Sequence, residues 1–260
     1  MIYKEKTYYE MISESYDFNM EVCASSPHWD ILFSLYENNY LKEQIRTGRI
    51  PKKIHQIWLG NASPVDYVKY SFTWRLKHPT WEYKLWTDRD VENLNIPNWE
   101  LYNSITNVAQ KSDFLRYHIL QQYGGIYVDT DFECLQPLDD LLYLDFFTGV
   151  GYPKDVELYI GLIGSVPNHP ILNHIVTNMT EAKYDGSWRK MFHTTGTYFF
   201  TKMFFEVVNK ETKGVVAFPP DFFYPFPNNV RKEENVDRYS FVKPISYALH
   251  HWAVSWRAKK

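Results

Sequence analysis

Two acidic residues, Asp129 and Asp131, stand one residue apart directly after the short apolar run 126–128. On a strand, residues i and i+2 point to the same side, so both carboxylates can converge on one point just past the strand end. Hard divalent cations prefer carboxylate and phosphate oxygens and often take one or two protein carboxylates plus the phosphates of a substrate. The pair therefore predicts a Mg²⁺ or Mn²⁺ site for a diphosphate, with a solvated or turn-capping Asp-x-Asp loop as the alternative.

The residues before the acids predict a helix, a glycine turn and a buried strand. Apolar side chains recur at helical spacing from Phe114 to Tyr123. The pair Gly124–Gly125 ends this helix, because glycine reaches positive φ without a steric penalty. In open α/β sheets, ligands bind beyond the carboxyl ends of strands. This position favours a ligand site over an ordinary loop.

The predicted helix carries three polar residues, Ser112, Asp113 and Arg116, within little more than one turn. Asp113 and Arg116 are one turn apart, so they can form a salt bridge with each other. A carboxylate also accepts hydrogen bonds from sugar hydroxyls, and a guanidinium offers a fork of donors to phosphate or sugar oxygens. Either role suits these residue types.

The chain upstream of this helix alternates between strand and helix patterns. Residues 53–58 and 83–86 are rich in β-branched and aromatic side chains and predict strands. A helix is predicted between them over 65–78. A strand, a helix and a strand in this order predict a parallel sheet with right-handed crossovers. One face of that helix would carry the apolar residues Val68, Phe72 and Leu76.

Length and composition suit one α/β domain with a small appendage. The chain has 260 residues, of which 45% are hydrophobic, and this excludes a disordered protein. A net charge of −3 gives no indication of nucleic-acid binding. We find no apolar run of membrane-spanning length and no signal-peptide pattern, and the two cysteines make no disulfide framework. A cytoplasmic protein, with contact to a membrane surface as a further expectation, is the simplest prediction.

Taken together, these motifs resemble the DXD-type glycosyltransferases of family 32, which are similar to the catalytic domains of large clostridial glucosylating toxins and to yeast-type initiating mannosyltransferases. The resemblance covers roughly residues 50–256. Its matching stretches are Ile50–Gly60, Ser112-Asp113-x-x-Arg116, Tyr123-Gly124-Gly125-x-Tyr127-x-Asp129-x-Asp131 and His250-His251-Trp252-x-x-Ser255-Trp256.

The resemblance implies a GT-A fold, with a mostly parallel nucleotide-binding sheet flanked by helices over residues 49–260. Residues 1–48 would form a helical N-terminal extension. It further implies a retaining, Mn²⁺- or Mg²⁺-dependent hexosyltransferase, with a UDP-linked donor favoured over a GDP-linked one. The acceptor would be a glycan, lipid or protein hydroxyl, in glycan or polysaccharide synthesis. A protein-modifying effector enzyme and a non-catalytic scaffold that binds a nucleotide sugar are the alternatives.

The resemblance also assigns roles to individual residues. Catalytic roles fall on Asp113, Arg116, Asp129 and Asp131. Contacts to the nucleotide sugar are expected from Ile57, Trp58, Ser112, Asp113, Arg116, Tyr127, Asp129, Ser255 and Trp256. Metal ligation is expected from Asp129, Asp131, His250 and His251. Because neighbouring residues of a strand face opposite sides, only one of the two histidines is expected to reach the metal, and the resemblance favours His250.

Two further positions bear on the donor sugar. Relatives often carry an Asn where this chain has Ile160, and this departure leaves the identity of the sugar open. The turn 194–197 precedes an apolar helix and could hold an anion or a sugar hydroxyl, or its threonines could simply cap the helix.

Overall fold

A computed structural model describes residues 6–15, 26–43, 47–60, 65–151, 156–182 and 187–253, with the side chains of 65–67 outside the description. Within these ranges the chain forms a mixed α/β structure. None of the described helices is both long and apolar enough to cross a bilayer.

The main sheet contains six of the described strands in the order β2-β1-β3-β6-β5-β7. These strands are β1 (Lys53–Ile57), β2 (Glu82–Trp86), β3 (Gly125–Val128), β5 (Phe146–Val150), β6 (Leu158–Ser165) and β7 (Val215–Phe218), and the shorter β4 (Phe132–Cys134) and β8 (Ala248–His250) form a separate pair.

The direction of the strands confirms the predicted mostly parallel sheet. β1 runs parallel to both β2 and β3, and β5 runs parallel to β7. β6 is antiparallel to its neighbours β3 and β5, so it alone runs against the other strands of this sheet. A reversed strand in an otherwise parallel sheet is a common arrangement.

Helices connect and cover the strands. The longest described helix, α6 (Val108–Tyr123), begins after Asn107, whose side chain accepts a hydrogen bond from the amide of Gln110 at 3.1 Å. It ends at Gly124, and Gly124 and Gly125 have φ of +60° and +95°, as the predicted glycine turn requires. The helices are α1 (Tyr8–Ser13), α2 (Pro27–Tyr36), α3 (Val65–Lys77), α4 (Asp88–Val91), α5 (Trp99–Ser104), α6 (Val108–Tyr123), α7 (Pro170–Asn178), α8 (Trp188–Thr194), α9 (Thr197–Val207) and α10 (Pro220–Phe223), with a π-helical turn at Glu37–Leu41.

The N-terminal helices pack beside β7 at one edge of the main sheet. The rings of Tyr36 and Tyr40 lie edge-on to that of Phe218, with centroids 6.1 and 5.1 Å away. Asn39 donates a hydrogen bond to the carbonyl of Val215 at 3.0 Å. The described part of the N-terminal region is therefore helical, and it shares its core with the sheet. A domain boundary near residue 48 stays a prediction.

The small β4–β8 sheet brings the end of the described chain to the acidic motif. Phe132 and His250 are register partners in this antiparallel pair. Asp129–Asp131 lies in the turn between β3 and β4, and the amide of His251 donates to the carbonyl of Asp131 at 3.0 Å. The two acids therefore converge in a turn rather than along a continued strand.

Helix α3 is fixed to this small sheet by its inner side. The indole of Trp74 donates to the carbonyl of Phe132 at 2.9 Å, and the amide of Cys134 donates to the hydroxyl of Thr73 at 2.9 Å. The predicted apolar face of this helix points outward, and its members Val68, Phe72 and Leu76 are 63%, 61% and 62% exposed.

Candidate active site

A cavity of about 700 Å³ lies where β3 ends, and it gathers most of the residues singled out in the sequence. Ser255 and Trp256, predicted to close over a diphosphate, lie outside the described residues. The predicted residues that line the cavity are Ile57, Trp58, Ser112, Asp113, Arg116, Tyr127, Asp129, Asp131 and His250.

Three of them form a group with the donor set of a metal site. Ligand atoms of Asp129, Asp131 and His250 all lie within 4.8 Å of one another. Nε2 of His250 is 2.9 Å from Oδ1 of Asp131, and Oδ2 of Asp131 accepts a hydrogen bond from the amide of Ala253 at 2.8 Å. Burial would raise the pKa of Asp131, but His250 and the Ala253 amide outweigh it, so the pKa is lowered.

This group fits a divalent cation by its chemistry. Carboxylate oxygens suit Mg²⁺ and Mn²⁺, and an imidazole is a further ligand for a first-row metal. The nitrogen of His250 that faces the acids is Nε2, 2.9 Å from Oδ1 of Asp131, and it would join the two carboxylates in holding the ion.

His251 stands apart from this group, so the structure separates the two histidines that the sequence left together. Its Nε2 lies 3.0 Å from Oε2 of Glu133, and its ring stacks on Tyr70 at 4.3 Å. His251 directly follows His250, the last residue of β8, and successive residues of an extended segment point to opposite faces. His250 is the histidine that faces the acids.

Arg116 joins the acidic turn to α6 through a buried network. Its Nη2 lies 2.8 Å from Oδ1 of Asp113, and its Nη1 lies 3.2 Å from Oδ1 of Asp129. Nη1 also donates to the carbonyl of Ile160 at 2.8 Å, and the guanidinium carbon lies 4.6 Å from the centre of the Tyr127 ring. Asp113 and Arg116 form the predicted salt bridge, and both also line the cavity, so the salt bridge is compatible with contact to a bound ligand.

Burial sets the protonation of this network. It raises the pKa of Asp113 to about 7, although Arg116 opposes the shift. Burial likewise raises the pKa of Asp129, and Arg116 again opposes it. The pKa of Arg116 is raised, because its two carboxylate neighbours outweigh its burial. One fixed positive charge therefore faces two carboxyls beside the candidate metal site.

The predicted turn at 194–197 reaches the same cavity. The hydroxyl of Thr195 donates to Oδ2 of Asp113 at 3.2 Å, and the hydroxyl of Thr197 donates to the carboxylate of Glu157. The turn therefore supports an acidic side chain of α6, in addition to beginning α9.

The sequence analysis assigns no individual role to several residues that line the cavity, and most of them lie outside any motif. Tyr224 lies in a proline-rich stretch, yet its hydroxyl accepts from the amide of Leu162 at 3.1 Å and faces the acids. Trp252 follows the histidine pair and could have been found from that motif. The missed residues include Glu157, Gly161, Tyr224, Asn228, Arg231 and Trp252.

Gly161 is the missed residue with the clearest steric reason. A Cβ atom there would lie 2.9 Å from Oδ2 of Asp129, and the Asp129 amide donates to the Gly161 carbonyl at 2.8 Å. We expect Gly161→Ala to displace the Asp129 carboxylate. The enzymatic turnover of the purified variant should then be lower than that of the wild type by up to about 10²-fold. Gly48→Ala is the control, because its Cβ would meet nothing closer than 3.8 Å. Equal turnover in both variants would contradict this steric role.

Comparisons with known proteins point in one direction. The family model described as the glycosyltransferase sugar-binding region containing a DXD motif matches residues 64–147. An uncharacterized glycosyltransferase of Acanthamoeba polyphaga mimivirus is 33% identical over 186 residues, which are 68% of this chain and 73% of that protein.

A yeast relative and a solved structure extend the comparison. Inositol phosphoceramide mannosyltransferase 3 of Schizosaccharomyces pombe is 31% identical over 162 residues, 60% of this chain. The match spans only 45% of that yeast protein. The structure of PaToxG Glycosyltransferase matches with a TM-score of 0.52 at 17% identity, over 80% of this chain and 81% of that one. At this identity the likeness shows a shared fold.

Proposed function

The chain belongs to the glycosyltransferases whose sugar-binding region contains a DXD motif, and we propose that it moves a hexose from a nucleotide sugar to an acceptor hydroxyl with a bound divalent metal ion. Its fold is the GT-A type that the sequence predicts. The observation that carries the proposal is the convergence of Asp129, Asp131 and His250 in a cavity that also contains Arg116.

The residues around the acids suit the binding of a sugar diphosphate. Asp129, Asp131 and His250 would hold the metal ion, which would supply Lewis-acid stabilisation of the leaving diphosphate. Arg116 adds a fixed positive charge near the same place. Asp113 is held by Arg116 and Thr195, and it offers a carboxyl oxygen to a hydroxyl of the ribose or the donor sugar. Trp58 lines the same cavity and is proposed to stack on the base.

We propose that transfer retains the anomeric configuration. The bond from the anomeric carbon to the diphosphate oxygen breaks, and the bond to the acceptor oxygen forms on the same face of the sugar. The proton of the acceptor hydroxyl passes to the leaving diphosphate. A proton NMR spectrum of the first product formed from an α-linked donor would give its anomeric configuration. Retention predicts an α-linked product.

The donor and acceptor are proposed from the resemblance and from relatives' names. We propose a UDP-linked sugar as the donor, before a GDP-linked one. The yeast relative is by name an inositol phosphoceramide mannosyltransferase, so mannose and the hydroxyls of an inositol lipid head group are the first sugar and acceptor to test. Glycan and protein acceptors form the rest of the panel.

A thermal-shift panel identifies the donor. UDP- and GDP-linked sugars are each added with Mn²⁺, with Mg²⁺ and with a chelator. A ligand that binds only the folded state raises the melting temperature. At a concentration of 100 times its dissociation constant, it adds about 2.7 kcal/mol to the free energy of unfolding. We expect a metal-dependent rise in melting temperature with the sugars of one of the two nucleotides. No shift with any nucleotide in a well-folded preparation would contradict the proposed function.

A further inference from the structure

The outer face of α3 is an unusual surface, because it is apolar and exposed over about two and a half helical turns. We define this face by Val68, Phe72 and Leu76, each more than half exposed, with the exposed basic residues Lys69 and Arg75 at its borders. At 100° per residue the three apolar side chains fall within an arc of about 80°. Contiguous exposed apolar side chains with a polar rim mark an interaction surface.

The opposite side of the helix is fixed to the protein, so this face cannot turn inward. Trp74 and His78 are buried, and Trp74 and Thr73 bond to the backbone of β4. Its outward direction is therefore a property of the fold. The hydrogen bonds of Thr73 and Trp74 to β4 come from residues outside the outer face.

Charge indicates which partner this face suits. The described side chains of α3, residues 68–77, include Lys69, Arg75 and Lys77 and no acid, and all three are exposed. The chain as a whole carries a net charge of −3, so this surface opposes the overall charge. Apolar residues between lysines and arginines are typical of helices that lie in the interface of a membrane with anionic lipids.

We propose that the outer face of α3 is a docking surface for an anionic membrane. Val68, Phe72 and Leu76 enter the boundary between head groups and acyl chains, and Lys69 and Arg75, at the borders of the face, lie against anionic head groups. The anionic leaflet of a cell membrane is the cytoplasmic one, which agrees with the predicted cytoplasmic location. Three apolar side chains and two charges make a weak, reversible contact rather than a permanent anchor.

Docking would bring the candidate active site close to the bilayer. The β4–β8 sheet, which carries His250, lies directly behind α3, and a helix is about 10–12 Å in diameter. The candidate metal-binding residues would then lie behind the docked helix, on the side of the protein that faces the membrane. This proposal rests on the surface of α3 and not on the proposed function, although a lipid acceptor would suit both.

Vesicle co-sedimentation tests the proposal without donor or acceptor. The full chain is mixed with vesicles of phosphatidylcholine alone or with about 30% phosphatidylserine, at about 0.1 M and about 0.5 M salt. We expect binding to the anionic vesicles at low salt and at least about fivefold weaker binding at high salt or without phosphatidylserine.

Two variants and a matched control assign the binding to the outer face. Val68→Ser/Phe72→Ser/Leu76→Ser should weaken binding at least about tenfold, because the apolar contact is lost. Lys69→Glu/Arg75→Glu should weaken it at least about 25-fold, from about fivefold per charge removed. Lys202→Glu/Lys210→Glu makes the same change of charge at exposed sites elsewhere and should bind as the wild type does.

Several outcomes would overturn the proposal. It fails if the wild type does not bind anionic vesicles, or if the serine variant binds as tightly as the wild type. It also fails if the wild type forms dimers that the serine variant cannot form and neither binds vesicles, since the occupant is then a second copy of the chain. Donor hydrolysis measured in solution separates these results from the proposed function, because all variants should retain it.

Discussion

Replacing Asp131 with Asn is expected to lower sugar transfer by about 10²- to 10⁴-fold while the protein stays folded. Asn has the same shape and can still accept the Ala253 amide hydrogen bond, but it removes a charge from the candidate metal group. Metal ions contribute several kcal/mol of charge stabilisation, and each 1.36 kcal/mol is about tenfold in rate. Initial rates with the donor found in the thermal-shift panel would measure the loss.

A matched control separates this effect from a general loss of acidic charge. Asp30→Asn makes the same chemical change at an exposed surface ion pair with Lys210, so its rate should equal that of the wild type. The Asp131→Asn protein should also lose the metal dependence of nucleotide binding. A non-catalytic scaffold would show no sugar transfer in either the wild type or Asp131→Asn, and its Asp131→Asn variant would still bind its partner.

Replacing Arg116 with Ala is expected to give the largest loss of stability, about 3–5 kcal/mol. The substitution leaves the buried carboxyl of Asp113 and the partly buried carboxyl of Asp129 without the cation that lies 2.8 and 3.2 Å from them. It also removes the hydrogen bond to the carbonyl of Ile160. Urea unfolding followed by tryptophan fluorescence would measure the change.

The pH dependence of this loss has a definite sign. Asp113 has a folded pKa of about 7, above its ordinary value, so its ionised form destabilises the folded state and protonation relieves that penalty as the pH falls. Without Arg116 the pKa of Asp113 rises further. The stability deficit of Arg116→Ala should therefore be smaller at about pH 5 than at about pH 7.5.

Arg49→Ala serves as the control for the loss of a salt bridge. Arg49 pairs with Asp145 at 2.9 Å, but its side chain is 59% exposed, and we expect a loss below about 1 kcal/mol. If Arg116→Ala lowers the free energy of unfolding no more than Arg49→Ala does, the network around Arg116 does not stabilise the fold.

The sequence predicts those parts of the site that depend on local spacing. The acid pair, the glycine turn and the polar face of α6 each lie within one short segment, where periodicity and turn chemistry determine the structure. Asp113, Arg116, Asp129 and Asp131 therefore meet as the pattern indicates. Their convergence still differs in detail, because the acids lie in a turn between β3 and β4.

Long-range pairing lies beyond such reasoning. His250 reaches Asp131 across 119 positions because β8 pairs with β4, and the register of that pair decides which histidine faces the acids. Gly161 and Tyr224 join the site for the same reason, since no local motif marks them. Periodicity also predicts that Val68, Phe72 and Leu76 share a face without deciding whether that face points inward or outward.

Metal removal tests the central claim most directly. Release of nucleoside diphosphate from the preferred nucleotide sugar is measured with the wild-type chain, first with Mn²⁺ or Mg²⁺, then after chelation, then with metal restored. We expect release to stop on chelation and to return when metal is added, and we expect no such recovery with Asp131→Asn. Release that continues unchanged after chelation would contradict a metal-dependent transferase built on Asp129, Asp131 and His250.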